Sequence, residues 1–533
     1  MSLNLADLFE AAADAVPDRT AIVCGDERLT YAELDAAANR LAHHLAGAGV
    51  GAGDHVGMYM RNSIEFVEAL LACLKVRAVP VNVNYRYVDA ELAYLFANAE
   101  LVAVVADGDF AATTAAVLPQ TPTVRHVVTI GDTGDVEWGD VTVADFHAAV
   151  AAESGDRDFP ERSSDDLFIV YTGGTTGMPK GVMWRQEDFF HAALSGGNPF
   201  GDPYDGPAAV AAAVPNIPPM TWVLTAPLIH GAALYSVFTA FCLGATHALM
   251  SRFDAEEALR VVERERAMTL TVVGDAMARP VADVITERGA EFDLSSLLVV
   301  SSGGALFSLS VREQLVAALP QLTIRDGFGA SESGVDGNLE IGSDGLMRIA
   351  AKPNVRVVDE GRRPIAPGSD EIGYIARSGN VPLGYWGDPE KTAATFPVVD
   401  GVRTAVLGDM GRVEADGRIV LLGRGSTCIN TGGEKVYPEE VEMAIKSHPA
   451  VLDALVAGVD DERYGQRVGA VVQARDGFDL PELDELIDYV STQVARYKAP
   501  RTVVEVDAIV RSPAGKADYR WAKATLQEQA AHL

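Results

Sequence analysis

Cysteine and positive charge are both scarce in this chain of 533 residues, and each scarcity narrows what it does. The four cysteines, Cys24, Cys73, Cys242 and Cys428, stand far apart and form no CxxC pair. A disulfide framework or a zinc site is therefore not expected, and a reducing compartment fits better. Basic residues number 43 against 75 acidic ones, a formal charge of −32. A field of that sign repels phosphate backbones and anionic lipid, so no nucleic-acid partner and no acidic membrane surface is expected. A small anionic ligand remains admissible, because nearby backbone amides and a cation override a distant field. The opening MSLNLADLFE places Asp7 and Glu10 where a secretory leader carries basic residues, so a cytoplasmic location is expected. Asp, Glu, Lys and Arg are also missing from Gly206 to Ser251. The apolar part, GAALYSVFTAFCLGATHALM, is nearly long enough to span a bilayer. It holds Gly, Ser, Thr and His247 and lacks basic flanks, so it reads as a buried helix–strand unit and no transmembrane segment is expected.

What is present is an ordinary globular composition, 48% apolar and 22% charged. The length exceeds what one simple core supports. Short β-branched runs alternate with amphipathic helical windows. HVGMYM (55–60) is followed by SIEFVEALLACLKV, and VPVNV (79–83) by DAELAYLFANA and LVAVVAD. LFIVYT (167–172), TLTVV (269–273) and LLVVSS (297–302) continue the pattern. The alternation predicts an α/β fold of helix-covered sheets. From about 352 to 423 short strands with turns predict a small β-subdomain. After Gly423 a helix and two strands restart a small α+β unit. The expected division is a large domain over 1–424 and a small one over 425–533. SGGNPFGDPYDGP (195–207) reads as a Gly/Pro-rich loop.

YTGGTTGMPKG, Tyr171 to Gly181, follows a buried strand with four glycines, three threonines and a lysine. Glycines let backbone amides approach an anion, threonines donate hydrogen bonds and Lys180 supplies a cation, which together make a phosphate cradle. Met178 and Pro179 stand where a Walker A loop needs Gly and Lys, and no GxGxxG occurs there. A glycine-rich strand-to-helix turn is the plain alternative.

These residues resemble the phosphate loop of the adenylate-forming superfamily of acyl-CoA synthetases, nonribosomal adenylation domains and luciferases. Further segments match it in order. PLIHGA resembles the acyl-site motif with His230, and SSGGAL the adenine-binding turn, with Leu306 in place of Pro. GFGASE resembles the YGxTE motif, with Phe328 for Tyr and Ser331 for Thr. GDMGRVEADGRIVLLGR holds Asp409 and Arg424 at the ribose-binding positions, INTGGEKVYPEEVE resembles the start of a mobile C-terminal lid, and RSPAGKADY holds Lys516 at the catalytic lysine position. The similarity is greatest to actinobacterial fatty-acyl and sterol-side-chain CoA ligases. It implies ATP, magnesium and CoA. It implies catalytic roles for Lys516, Glu332 and His230, and magnesium-side ligands in Thr172 and Glu332. Nucleotide contacts would come from Thr172, Gly173, Gly174, Thr175, Thr176, Gly177, Lys180, Gly304, Ala305, Phe328, Gly329, Ala330, Ser331, Asp409 and Arg424. CoA would pass Gly432, Gly433 and Glu434, and the lid would turn about Ser426.

Taken singly, each residue has a plainer reading: Glu332 as a helix-capping carboxylate, Phe328 as a core aromatic, Asp409 as a turn residue, Arg424 and Lys516 as surface cations, His230 as a core histidine and Gly432–Gly433 as a hairpin turn. Two departures from the family pattern stand out. The hinge position, usually Asp or Lys, is Ser426, followed by Thr427. Leu234 occupies the position of the tryptophan gate found in long-chain members, so an ATP-gated fatty-acid tunnel is not expected. The small residues, prolines and Trp222 of the 195–222 segment suit a wide pocket. The motif region lacks a buried Lys or Arg that would meet a second carboxylate, so an apolar acid is expected, either a medium or long fatty acid or a steroid side-chain carboxylate. The alternative is adenylation for a separate carrier protein. A homo-oligomer is compatible with the sequence.

Overall fold

The computed structural model describes residues 3–172, 178–305, 307–342, 346–350, 352–431, 434–461, 465–511 and 516–530. Three sheets organise them. An eight-stranded sheet is parallel from Thr142–Asp145 through His126–Ile130, Ala103–Asp107, His55–Tyr59 and Val79–Asn82 to Leu167–Thr172. It ends in the antiparallel strands Lys180–Arg185 and Gly384–Tyr385. The strands at its centre are buried along their length and read as continuous apolar runs, as parallel strands covered on both faces must.

A fourteen-stranded sheet has a parallel half and an antiparallel half. Thr20–Cys24, Thr246–Leu249, Thr221–Leu224, Thr269–Val272, Val299–Gly303 and Thr323–Ala330 run parallel in that spatial order. The chain then reverses into Gly334–Ile341 and Met347–Ile349. From there the expected small β-subdomain continues the same sheet, through Ile419–Arg424, Val402–Val413, Gly373–Ser378 and Val355–Val358. It is thus not a detached unit, although its own apolar cluster packs Ile349, Val357, Ile375 and Ile419.

The largest core lies between the two sheets, where side chains such as Leu224 and Val170 meet helices Leu5–Ala15, Tyr31–Gly47, Ile64–Lys75 and Gly231–Cys242. Burial of nearly the whole of Gly231–Cys242 accounts for the charge-free stretch noted above. Its partner strand Thr246–Leu249 is buried too. Among the described residues no helix is long and apolar enough to cross a membrane. The last part of the chain forms a five-stranded sheet with helices Pro438–Lys446, Leu483–Val490 and Tyr519–Ala530, and has its own core around Val441, Val456 and Val468.

Candidate active site

A cleft of about 1560 Å³ opens where the carboxyl ends of the parallel strands meet the C-terminal unit. Open α/β sheets place ligands at such strand ends. Thr172 closes its strand and pairs in register with Lys180, which begins the return strand. Gly173, Gly174, Thr175, Thr176 and Gly177 lie outside the described residues. Lys180 Nζ donates to Asp388 Oδ2 at 3.2 Å and stands 5.4 Å from the Tyr385 ring centre. Asp388 also caps helix Pro389–Thr395, and the Lys391 amide, with Lys180, keeps its carboxyl below the usual range.

Glu332 sits in the turn between antiparallel strands Thr323–Ala330 and Gly334–Ile341, so it caps no helix. The turn requires glycine: a β-carbon on Gly329 would fall 1.9 Å from the Gly334 carbonyl oxygen, and Gly334 has φ +77°. Tyr385 Oη donates to Glu332 Oε1 at 3.0 Å, and Trp184 Nε1 donates to the Ser331 carbonyl at 3.0 Å. Burial and the Glu332 charge both push the Tyr385 phenol far up, so it stays a donor. Gly304, at φ +80°, and Ala305 line the cleft beside Gly329, Ala330 and Ser331. Phe328 lines it while packing on the β-subdomain cluster that includes Leu339 and Leu421, which joins the stacking and core readings.

Asp409 and Arg424 face each other on paired strands, with Arg424 Nε 3.3 Å from Asp409 Oδ1. Burial opposes the guanidinium charge, but the Asp409 and Glu332 carboxylates outweigh it and hold Arg424 charged. His230 immediately precedes helix Gly231–Cys242. Burial first, then the charges of Lys516 and Arg86, lower its imidazole to about 4, so it is neutral at physiological pH. Lys516 is exposed to the cleft yet crowded by its walls. Loss of surrounding water lowers its ammonium, while Glu332 and Asp409 work against that. Lys516, Glu332, His230, Asp409 and Arg424 thus come together from separate segments in one cleft.

Glu434 opens strand Glu434–Val436, Gly432 and Gly433 lie outside the described residues, and Ser426 lies in the short helical turn Gly425–Thr427. Among the described residues no cluster of three or more His, Cys, Asp or Glu side chains forms a metal cage. The oxygen donors Thr172 and Glu332 both line the cleft, a sparse set that suits magnesium shared with substrate phosphates rather than a closed protein site.

Sequence reasoning missed the supports. Buried Asn82 accepts from the Tyr171 amide at 2.8 Å and donates to the carbonyls of Tyr171 and Ile229 at 2.8 and 2.6 Å. Buried Asn62 donates to the Ala226 carbonyl at 3.0 Å and accepts from the Leu228 amide at 2.6 Å. Together they clamp the 226–229 segment that presents His230. An asparagine at the end of a buried strand, as in VPVN, is the one signal that pointed to such a clamp. Tyr385 and Asp388 are distant in sequence from every motif and gave none.

Residues 9–386 match the family model described as AMP-binding enzyme, and residues 440–516 match the AMP-binding enzyme C-terminal domain. The chain belongs to the AMP-binding enzyme family. Its resemblance to adenylate-forming enzymes is borne out over nearly its full length. A medium/long-chain-fatty-acid–CoA/3-oxocholest-4-en-26-oate–CoA ligase of Mycobacterium tuberculosis is 48% identical over 533 residues, covering 98% of this chain and 96% of that protein. A 3-oxocholest-4-en-26-oate–CoA ligase of Rhodococcus rhodochrous is 46% identical, with the same shares covered. Among solved structures, ATP-bound MatB from Rhodopseudomonas palustris aligns with a TM-score of 0.81 at 26% identity, covering 99% of this chain and 100% of that one.

Proposed function

We propose that this member of the AMP-binding family is a cytoplasmic ATP-dependent acid–thiol ligase. It activates an apolar carboxylic acid, a medium or long fatty acid or a steroid side-chain carboxylate, and transfers it to CoA. The observation that carries the reading is the gathering of Lys516, Glu332, His230 and the Asp409–Arg424 pair in one cleft. The near-full-length identity to named CoA ligases supports it.

A carboxylate is a poor acyl donor, because its leaving group would be oxide. In the first step a carboxylate oxygen attacks the α-phosphorus of ATP, the α–β phosphoanhydride bond breaks, and pyrophosphate departs. Two anions must approach, so cations have to offset their repulsion. The Lys516 ammonium bridges carboxylate and α-phosphate, and Lys180 meets the outgoing phosphates. Glu332 and Thr172 would hold magnesium on the phosphate side, where it would supply further charge neutralisation. Asp409 accepts from the ribose hydroxyls with Arg424 locking its orientation, and Phe328 offers a face to adenine. In the second step the CoA thiolate attacks the acyl carbon, the acyl–phosphate C–O bond breaks, and AMP leaves. Neutral His230 walls the acyl site without adding charge beside the carboxylate. The division at 424/425 makes residues 425–533 the lid, Ser426 its pivot, and Gly432 to Glu434 the path of the pantetheine chain.

Hydroxylamine trapping of the acyl-adenylate, run with and without CoA over a panel of acids scored by pyrophosphate release, tests this. Acid-dependent pyrophosphate release followed by CoA-dependent AMP release is expected. No pyrophosphate with any acid overturns the reading, and AMP release only with a carrier protein replaces CoA as the acceptor.

A further inference from the structure

The cleft extends past the nucleotide end along one face of the parallel sheet. Helix Gly231–Cys242 and the 195–200 segment form its opposite wall. On strand Thr323–Ala330 side chains alternate between faces. Asp326 is buried and its carboxylate is paired with Arg312 of helix Leu309–Ala318. Arg325, one residue earlier, belongs to the opposite set; both residues border the cleft, and Arg325 stands in register with Ser301 of the neighbouring strand. It stands two residues before Gly327, roughly 7 Å down the strand from the adenine-side turn. The motif regions had shown no cation for the acyl part of a substrate to meet, and this residue lies just outside them, two positions before GFGASE.

The surroundings of Arg325 are unusual for a guanidinium. It is half-buried, and among the described residues its side chain makes no ion pair and no hydrogen bond. Its one recorded partner is the ring of Phe200, 4.9 Å from its Cζ. Phe200 is itself 55% exposed and lines the same cleft. A guanidinium carries five N–H donors in a rigid fork, and leaving them unmet in a partly dry wall is costly. Stacking on an aromatic face fixes the plane of the fork while leaving its edge donors free.

Resting on the ligase reading above, we propose that Arg325, held by Phe200, reads a carbonyl oxygen on the acyl part of the acid, away from the reacting carboxylate. The class favoured is a ring-bearing acid with a keto oxygen, over its oxygen-free counterpart. A half-exposed guanidinium without a carboxylate partner suits a neutral acceptor, because burying a second carboxylate beside it would add a desolvation cost that it offsets poorly.

The test is the ratio of kcat/KM for two steroid side-chain acids identical but for one ring ketone, measured by pyrophosphate release. The native chain is expected to prefer the ketone by about 10-fold or more, the range of a hydrogen bond to a charged donor. Arg325→Met, which keeps the stem, should collapse that ratio towards one, and Arg325→Lys should retain part of it. A merely structural role would lower both acids equally and leave the ratio unchanged, which overturns the proposal. So would a native chain that does not distinguish the two acids, or one that prefers a dicarboxylic acid of matched length. Failure of every acid to release pyrophosphate would instead defeat the ligase reading.

Discussion

The two ends of the cleft are built differently. At the nucleotide end charged side chains are already engaged: Lys180 with Asp388, Glu332 with Tyr385, Arg424 with Asp409. Along the acyl wall the Arg325 side chain has, among the described residues, an aromatic ring as its one partner. The contrast follows from what each end must do. The nucleotide end handles one invariant ligand of high charge, so its groups are pre-oriented and their reorganisation cost is met in folding. The acyl end meets ligands that differ between related enzymes, and a wall with an unspent donor can be completed by the ligand itself.

The largest effect expected from disturbing the ordered end is loss of Lys516. Lys516→Ala should reduce acyl-adenylate formation by roughly two to three orders of magnitude, as removal of a key electrostatic group does. Thioester formation from supplied acyl-adenylate should survive, because the proposed lid motion would carry the lysine away. Equal loss of both half-reactions would give Lys516 a structural role. Glu332→Gln comes next, with a loss on the order of 100-fold in pyrophosphate release. An unchanged rate at saturating magnesium removes Glu332 from the metal side. Tyr385→Phe deletes one hydrogen bond to a carboxylate and should cost about 10-fold at unchanged thermal stability. A drop in stability with intact activity would make Tyr385 a packing residue.

The same contrast explains what was legible in the sequence. Glu332, Asp409 and Arg424 sit in short segments whose glycines and turns are dictated by local geometry, such as the Gly329–Gly334 approach that no β-carbon permits. Strand Leu167–Thr172 was placed to the residue because an unbroken apolar run ends at a glycine-rich turn. The β-subdomain strands were visible too. Their membership of the fourteen-stranded sheet was not, because that depends on pairing Met347–Ile349 with Ile419–Arg424, about 70 residues apart. Asn62, Asn82, Tyr385 and Arg325 escaped for a related reason. Each acts through a partner brought near only by tertiary packing, and apart from the strand-end position of Asn82 nothing in its local pattern marks it.

The smallest expected effect lies at the seam between the two units, where the ordered end could be loosened by pH alone. Glu439, in the first turn of helix Pro438–Lys446, presses its carboxyl against Gly423. Gly423 has φ +104°, and a β-carbon there would stand 2.2 Å from Glu439 Oε2. Burial first, then the nearby Glu442 carboxyl, pushes Glu439 up to about 8, and burial raises Glu442 itself to about 7. A carboxyl whose folded value exceeds its free value near 4.5 binds its proton more tightly when folded. Stability from this contact is therefore full below about 4.5 and is lost as pH rises through about 8. Glu439→Gln mimics the protonated form and should flatten part of that slope, leaving the share due to Glu442. The drop in Tm between pH 5 and pH 8.5 should shrink by about 4–8 °C, the equivalent of roughly 1 kcal/mol in a unit of about 100 residues. A variant that keeps the full native slope would show that Glu439 ionises without strain, with its carboxylate reaching water in the lid pose that dominates in solution.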